Sequence, residues 1–369
     1  MAKKIFIAAT MQNDGKTTVS LGLIACLKKR FGRIGFIKPI GQRYLVEQGY
    51  KVDEDSVLIE GVFGFKASIK DMSPLAIERG FTERYIEKGA SEDYARIIKE
   101  AFDHVAKDCD LVIVEGTGHA GVGSVFDLSN ATVARLLEAN VILISSGGVG
   151  KPIDEVMLNK ALFDKEGVRV AGVVVNKVRP EKFDRIAPLV RMGFEKKGLE
   201  VFGALPYQRA LDLPTMREIR EEIKVDTLYD GDDLDVPSEH VLIGAMNVRG
   251  AVRFIQDYSL MIIPGDRDDL IRAVCEIHLG KFTFGKSDKR TRISGIILSG
   301  GMIADEETMK LLKDSGITVL ATVEDTYSIA SRVHSMIVKL KPQDSRKIEM
   351  IVDMIEKYVD IDKVIANLK

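Results

Sequence analysis

Residues 5–9, Ile-Phe-Ile-Ala-Ala, make an apolar run about one strand long. Behind it the chain reads Thr10-Met11-Gln12-Asn13-Asp14-Gly15-Lys16-Thr17 and enters a helix-like pattern over 19–27. Strand, loop, then Gly-Lys-Thr opening a helix is the context a phosphate-binding loop requires. Successive N–H groups of such a loop, and of the helix N-terminus behind it, point at one spot and favour an anion there. Gly15 lets the main chain approach closely, Lys16 would set a charge against the outer phosphates, and the Thr17 hydroxyl would take one Mg²⁺ position. The common pattern is G-x-x-x-x-G-K-[ST], and Thr10 stands at its first glycine. Gly-Lys-Thr-Thr also fits a plain strand–turn–helix connection. The strand before it and the apolar helix after it favour the nucleotide loop.

With 369 residues the chain has room for two or three domains. Hydrophobic residues at 46% can fill a sizeable core, and a net charge of −2 gives no electrostatic case for nucleic-acid binding. The basic run Lys286-Ser287-Asp288-Lys289-Arg290 reads as a solvated loop. Cys26, Cys109 and Cys275 are odd in number and widely spaced. That fits reduced thiols in a cytoplasm, and neither a disulfide framework nor a zinc site. No run approaches about 18 unbroken apolar residues, so no membrane span is expected. The apolar run behind the basic residues 1–4 is too short for a signal peptide.

In the first half, apolar runs at 4–9, 34–37, 111–114, 141–145, 170–175 and 201–204 alternate with helical patterns at 92–108, 131–138, 154–165 and 182–197. This alternation predicts an α/β fold with a mainly parallel sheet flanked by helices. Pro206 and Pro214 bracket a connector, and the charged run 217–224 follows. Beyond it come strands at 240–244, 259–263, 292–298 and 318–321, with helices at 267–277, 305–315 and 326–338. They predict a second, smaller α/β domain. Lys341-Pro342 precedes a last amphipathic helix at 345–358. The expected division is 1–212, 213–340 and a helical tail over 341–369. The acidic stretch 230–235 reads as solvent-facing.

A phosphate loop needs acids that can hold Mg²⁺. Glu115 closes the strand Val112-Ile113-Val114-Glu115 ahead of Gly116-Thr117-Gly118. A carboxylate at that end of a parallel strand can face phosphates across the sheet, where a hard cation with few protein ligands is completed by water and phosphate. The alternative is an ordinary polar residue ending a strand. Asp55 is a second candidate, although acids before a helix are often caps or dipole partners. Lys38 ends Phe36-Ile37-Lys38-Pro39, and Pro39 stops the ladder, so Lys38 projects near the phosphates or snorkels at the surface.

Taken together, Thr10–Thr17, Phe36-Ile37-Lys38-Pro39, Asp55, Glu115-Gly116 and Val175-Asn176-Lys177 resemble the dethiobiotin synthetase family of P-loop proteins. That family carries threonine at the first glycine position of the loop. The resemblance covers about residues 3–210. It implies an ATP–Mg²⁺ site in which Thr10, Asn13, Asp14, Gly15, Lys16, Thr17 and Thr18 cradle phosphate. Thr17, Asp55 and Glu115 would hold the metal, and Lys16 and Lys38 would act in catalysis. Lys38 would lie between ATP and an acidic acceptor, Asn176 would read the adenine edge, and Pro206 would lie near the base. Pro264-Gly265-Asp266-Arg267 and Leu298-Ser299-Gly300-Gly301 resemble the DRTGG domain, with Ser299 at the usual threonine. From the residues alone, Ser299-Gly300-Gly301 fits an anion-binding nest or a simple tight turn.

The tandem resembles the N-terminal regulatory region of long phosphotransacetylases. Since the sequence ends at Lys369, with no room for an acetyl-transferring domain, phosphate acetyltransferase activity is not expected. A nucleotide-responsive regulatory protein, with a small-molecule effector or partner at the DRTGG domain, is the first reading. An ATP-dependent ligase-like enzyme that phosphorylates a carboxylate or carbamate is the second, and a scaffold with a vestigial loop the third. Against dethiobiotin synthesis itself stand Asn13-Asp14, Gly41-Gln42-Arg43 and His119-Ala120-Gly121, which depart from the synthetase pattern. The synthetase resemblance also implies a homodimer.

Overall fold

Strands buried on both faces must be made of residues with no polar side chain to satisfy, and runs of Val, Ile, Leu and Phe supply them. In the computed structural model, which describes residues 2–281, 291–336 and 338–368, six such runs make one sheet. They are β1 (Lys3–Ala9), β2 (Ile34–Ile37), β3 (Leu111–Glu115), β4 (Asn140–Ser145), β5 (Val170–Val178) and β6 (Val201–Pro206). Their order is β6-β5-β4-β1-β3-β2, and every neighbouring pair is parallel. From β1 the chain goes out to β2, returns to β3, then crosses β1 to build β4, β5 and β6. The strand order therefore reverses beside β1, where open α/β sheets leave a crevice at the carboxyl ends of the strands.

The connecting helices include α1 (Lys16–Lys28), α2 (Glu54–Phe63), α3 (Tyr94–Ala106), α4 (Asn130–Leu136), α5 (Gly150–Lys165) and α6 (Phe183–Glu195). An antiparallel hairpin, Tyr44–Glu47 with Tyr50–Asp53, has no counterpart in the sequence-based expectation. Its turn residues Gln48 and Gly49 both have positive φ, as tight hairpins demand.

The chain separates into two units, Met1–Tyr207 with Leu340–Lys369, and Gln208–Lys339. The second unit begins with α7 (Met216–Ile223). The charged run 217–224 is thus largely a helix. Thr215 and Glu218 close a capping box at its start, and Met216, Ile219 and Ile223 are buried. Strands β7 (Asp226–Tyr229), β8 (His240–Ile243), β9 (Ser259–Pro264), β10 (Ile293–Ser299) and β11 (Val319–Ala321) follow in the order β7-β11-β10-β9-β8. Only β7 is antiparallel. Helices α8 (Asp268–His278), α9 (Glu306–Asp314) and α10 (Thr326–Ser335) complete this unit. One core cluster gathers Met261, Leu270, Val274, Leu298 and Leu312, and another gathers Met216, Ile262, Ile297, Leu320 and Ile329. The basic run 286–290 lies outside the described residues.

The chain then returns to the first unit as α11 (Ser345–Tyr358) and α12 (Ile361–Ala366). Helix α11 packs on α1 so closely that a Cβ at Gly22 would collide with Ile355. Asp360 N–H donates to Phe202 O (2.8 Å), and Asn140 Nδ2 to Asn367 O (3.0 Å). Cys26, Cys109 and Cys275 are free thiols. Burial pushes Cys26 up to about 11 and Cys275 up to about 12, which keeps both protonated. Among the described residues no helix is long and apolar enough to cross a membrane.

Candidate functional site

The loop after β1 is held by its own side chains. Thr10 Oγ1 donates to Asp14 Oδ2 (2.7 Å), and the Met11 N–H donates to the same oxygen (2.8 Å). The Thr10 N–H donates to Ile144 O on β4 (2.9 Å), and Asn159 Nδ2 donates to Thr10 O (3.3 Å). Threonine at the first glycine position therefore helps to close the loop, through a hydroxyl that glycine lacks. Asp14 faces back into the loop. Asn13 is exposed, with φ of 64°.

Gly15 caps α1 with φ of 90° and ψ of 36°. A Cβ there would strike the side-chain amide of Asn176. Both the left-handed backbone and the crowding require glycine. Asn176 Nδ2 donates to Asp14 O (2.9 Å), while its Oδ1 accepts from Lys177 N–H (2.8 Å). Asn176 is buried and braces the loop from β5, a different task from the expected reading of an adenine edge. Pro206 is buried at the end of β6 and paired with Val178, with β5 and β4 between it and β1.

Past Gly15 the main chain is open. Among the described residues, the amides of Gly15, Lys16, Thr17 and Thr18 make no hydrogen bond, and the Gly15 carbonyl accepts from Val19 N–H (3.0 Å). Four orphan donors at the start of a helix of 13 residues, with no acid in its first turn, form a site of positive potential.

Beneath them lies a cluster of charges. The register pairs Ile7 of β1 with Glu115 of β3, which brings Glu115 to the carboxyl end of the sheet beside the loop. Thr17 Oγ1 donates to Glu115 Oε1 (3.0 Å). Lys38, at the end of β2, is only 6% exposed. Its ammonium touches Asp55 Oδ2, lies 3.0 Å from Asp53 Oδ1 and 3.6 Å from Glu115 Oε1. Asp53 accepts from Asp55 N–H (3.0 Å) as the N-cap of α2. Its own N–H donates to Ser73 Oγ (2.9 Å).

Asp53 is the member of this group absent from the sequence-based candidates. The local signal was an acid directly before a helix start, and nothing local indicates that a lysine 15 residues earlier would reach it.

Burial sets the ionisation here. It pushes Glu115, fully buried, up to about 7; nearby Asp55 adds to the rise and Lys38 opposes it. Burial alone would lower the Lys38 ammonium, but Asp55, Glu115 and Asp53 outweigh it and hold it above the lysine range. Asp55 is held below the carboxylate range because Lys38 outweighs its burial, whereas burial wins at Asp53 and raises it. Lys16 is lowered, by burial first and by Lys38, against Glu115, Asp55 and Asp14.

The glycine-rich loop after β3 is fixed by two amides. Asn130 accepts from Thr117 N–H (3.1 Å) and donates to the carbonyls of Thr117 and His119 (both 2.7 Å). Asn159 Oδ1 accepts from Ala120 N–H (2.8 Å). Four hydrogen bonds therefore tie this loop to α4 and α5.

Does this arrangement fit a Mg²⁺–nucleotide? Glu115 Oε2 and the Ser20 hydroxyl are both buried without a hydrogen-bond partner. The donors here, Thr17, Asp55 and Glu115, are all oxygen, as a hard cation prefers. Among the described residues no group of three or more His, Cys, Asp and Glu is arranged to hold a metal by itself. The residues fit.

In the second unit the glycine turns are closed. Gly300 N–H donates to Glu324 O (2.7 Å), Gly301 N–H to Thr322 O (3.0 Å) and Gly265 N–H to Ser299 O (3.1 Å). Of the two possibilities for Ser299-Gly300-Gly301, the structure has the tight turn. Arg267 is engaged with Asp269 and with the carbonyls of Gly244 and Met246.

Comparison with known proteins agrees with this two-part reading. The family AAA_26, described as AAA domain, matches residues 3–215, and the family described as DRTGG domain matches residues 218–336. Phosphate acetyltransferase of Synechocystis sp. is 26% identical over 377 residues, which cover 100% of this chain and 52% of that protein. The Pseudomonas putida enzyme of the same name is 26% identical over 378 residues, covering 96% and 50%. The chain thus spans about half the length of the curated relatives it matches. These relatives overturn the expectation that phosphate acetyltransferase activity is excluded. That expectation rested on where the sequence stops, which carries no information on activity.

Among solved structures, the MinC:MinD cell division protein complex of Aquifex aeolicus aligns at TM-score 0.36 and 15% identity, over 57% of this chain and 84% of that chain. The CBS and DRTGG domains of the regulatory region of Clostridium perfringens pyrophosphatase, complexed with the activator diadenosine tetraphosphate, align at 0.27 and 18%, over 35% and 51%. At these TM-scores neither likeness bears on function. By its P-loop sheet and the match over more than half its length, the chain belongs to the AAA_26 family of AAA domains, joined to a DRTGG domain.

Proposed function

We propose that residues 10–18 bind a nucleoside triphosphate, ATP by the synthetase resemblance, together with Mg²⁺, and that this binding gives the chain a regulatory role related to phosphotransacetylases. The observation that carries the reading is the row of unpaired amides from Gly15 to Thr18 above a buried carboxylate with an unpartnered oxygen. Lys16 would lie against the outer phosphates, whose charge would offset the burial that lowers its proton affinity. Thr17, Asp55 and Glu115 would hold the cation, and Mg²⁺ bound with the nucleotide supplies charge neutralisation to its phosphates. Asn176 and Asp14 keep the loop in the shape that presents its amides.

The DRTGG unit is read as the place where an effector or partner acts. Any coupling to the nucleotide would require different affinities for two conformations of the chain. A cytoplasmic location follows from the three separate thiols, and a homodimer from the synthetase resemblance. Light scattering that reports a monomer at working concentration would remove the dimer.

Calorimetry with ATP, ADP and GTP on the wild type and Lys16→Ala tests the reading. Saturable heat with ATP that Lys16→Ala loses supports it; no heat with any nucleotide refutes it. Steady phosphate release on adding one small carboxylate would replace regulation with the ligase-type reading.

A further inference from the structure

Three carboxylates around one ammonium are more than a lysine needs. Asp53 is committed twice over, as cap of α2 and as acceptor for Lys38. Asp55 and Glu115 are the acids read above as ligands of the divalent cation, and Glu115 Oε1 also receives the Thr17 hydroxyl. The Lys38 ammonium lies among these same oxygens, touching Asp55 and standing 3.6 Å from Glu115. Beside it the buried Glu115 Oε2 has no partner. The backbone of Lys38 is fixed, because its N–H donates to Met72 O (2.8 Å) and Pro39 follows. Its four-carbon stem is the mobile part, and Asp53, 3.0 Å from the ammonium, offers a second acceptor.

We propose that Lys38 is a resident counter-cation that fills the divalent-cation seat between Asp55 and Glu115 and yields it only when phosphates arrive with the metal. Two cations cannot occupy that space, since both would be buried and in mutual repulsion. Metal entry is thereby tied to the nucleotide, whose phosphates and Asp53 take over the displaced ammonium. In the nucleotide-free chain the same contact sets one positive charge among the buried Asp53 and Glu115 and the partly exposed Asp55. The proposal rests on the reading of residues 10–18 as a Mg²⁺–nucleotide site.

The test is Mn²⁺ binding to the whole chain, followed by the paramagnetic resonance of free Mn²⁺, with and without ADP. The wild type is expected to take up Mn²⁺ only with ADP. Lys38→Met is expected to take it up without nucleotide, about tenfold or more tighter than wild type alone, within the usual range for two coupled occupants. The added change Glu115→Gln should abolish that uptake. Because Lys38→Met leaves the buried Asp53 and Glu115 without their cation, a chain with Lys38→Met and Asp53→Asn is measured beside it. Asparagine caps a helix as well as aspartate does, and Asp55 and Glu115 remain. Wild type that binds Mn²⁺ alone as tightly as these variants overturns the proposal. So does failure of the folded double variant to bind it. Nucleotide binding by the wild type is read separately in the calorimetry: a chain that binds ATP while the variants ignore Mn²⁺ loses this inference and keeps the function. A chain deaf to nucleotide loses the function and, with it, the phosphate-triggered exchange, even where the variants take up Mn²⁺.

Discussion

Both units carry glycines at the carboxyl ends of parallel strands, and the turns after β1 and β10 differ in where their amides go. After β1, the amides from Gly15 to Thr18 have no acceptor within the described chain, and a lysine and three acids lie beneath them. After β10, Gly300 and Gly301 have the left-handed φ values of 82° and 65°, yet their amides are bonded to Glu324 and Thr322. Glycine at a strand end permits a backbone conformation. Whether that conformation makes an anion site depends on where the N–H groups go.

Substitutions should separate the two regions. The largest expected effect is on the charge cluster: Lys38→Met should cost the first unit about 3–5 kcal/mol, because it strands buried carboxylates. Urea unfolding checks it, and a loss below about 1 kcal/mol would mean that water already reaches the cluster. Next is Gly265→Ala. Its Cβ would run into the Met302 carbonyl, so about 3 kcal/mol of second-unit stability should go while nucleotide affinity stays. A nucleotide defect in that variant would break the contrast.

Lys16→Ala should do the opposite. Stability should hold or rise, since a half-buried cation disfavoured by desolvation is removed. ATP affinity should fall by about 1.5–3 kcal/mol, the usual worth of a hydrogen bond to a charged group.

Glu115→Gln sharpens the comparison through pH. The folded value near 7 lies above the ordinary 4.5, so the folded chain holds this proton where the unfolded chain has lost it. Stability from this group is full below about 4.5 and is lost as pH rises toward 7. Wild type should therefore lose melting temperature relative to Glu115→Gln between pH 5 and about 7.5. Parallel curves would contradict the burial of an ionisable Glu115. The smallest effect is Gly300→Ala, about 1–2 kcal/mol of backbone strain with no change in nucleotide binding.

Much of this was legible from sequence because it is local. The six sheet strands are nearly continuous apolar runs, and the Gly-Lys-Thr turn announces its own geometry. Helix α7 was hidden by its charges, although Thr215 and Glu218 spell a capping box and Met216, Ile219 and Ile223 keep helical spacing. The hairpin over 44–53 is exposed or half-buried except at Val52 and Asp53, so burial left only a weak alternation in its sequence.

Illegible from sequence were the long-range tasks. Asn176 braces Asp14 across 162 positions, and Asp53 meets Lys38 only because β2 and the hairpin end together. Neither residue carries a local mark of that contact. Likewise, the closed state of Gly300 and Gly301 depends on the segment after β11, which Ser299-Gly300-Gly301 cannot reveal.

Backbone hydrogen exchange with and without Mg²⁺–ATP compares the two turns in one experiment. The amides of Gly15, Lys16, Thr17 and Thr18 should exchange freely in the empty chain and become protected on binding, while those of Gly300 and Gly301 stay as they were. Unchanged exchange across 15–18 at saturating nucleotide, or new protection at 300–301 in its place, would contradict the account.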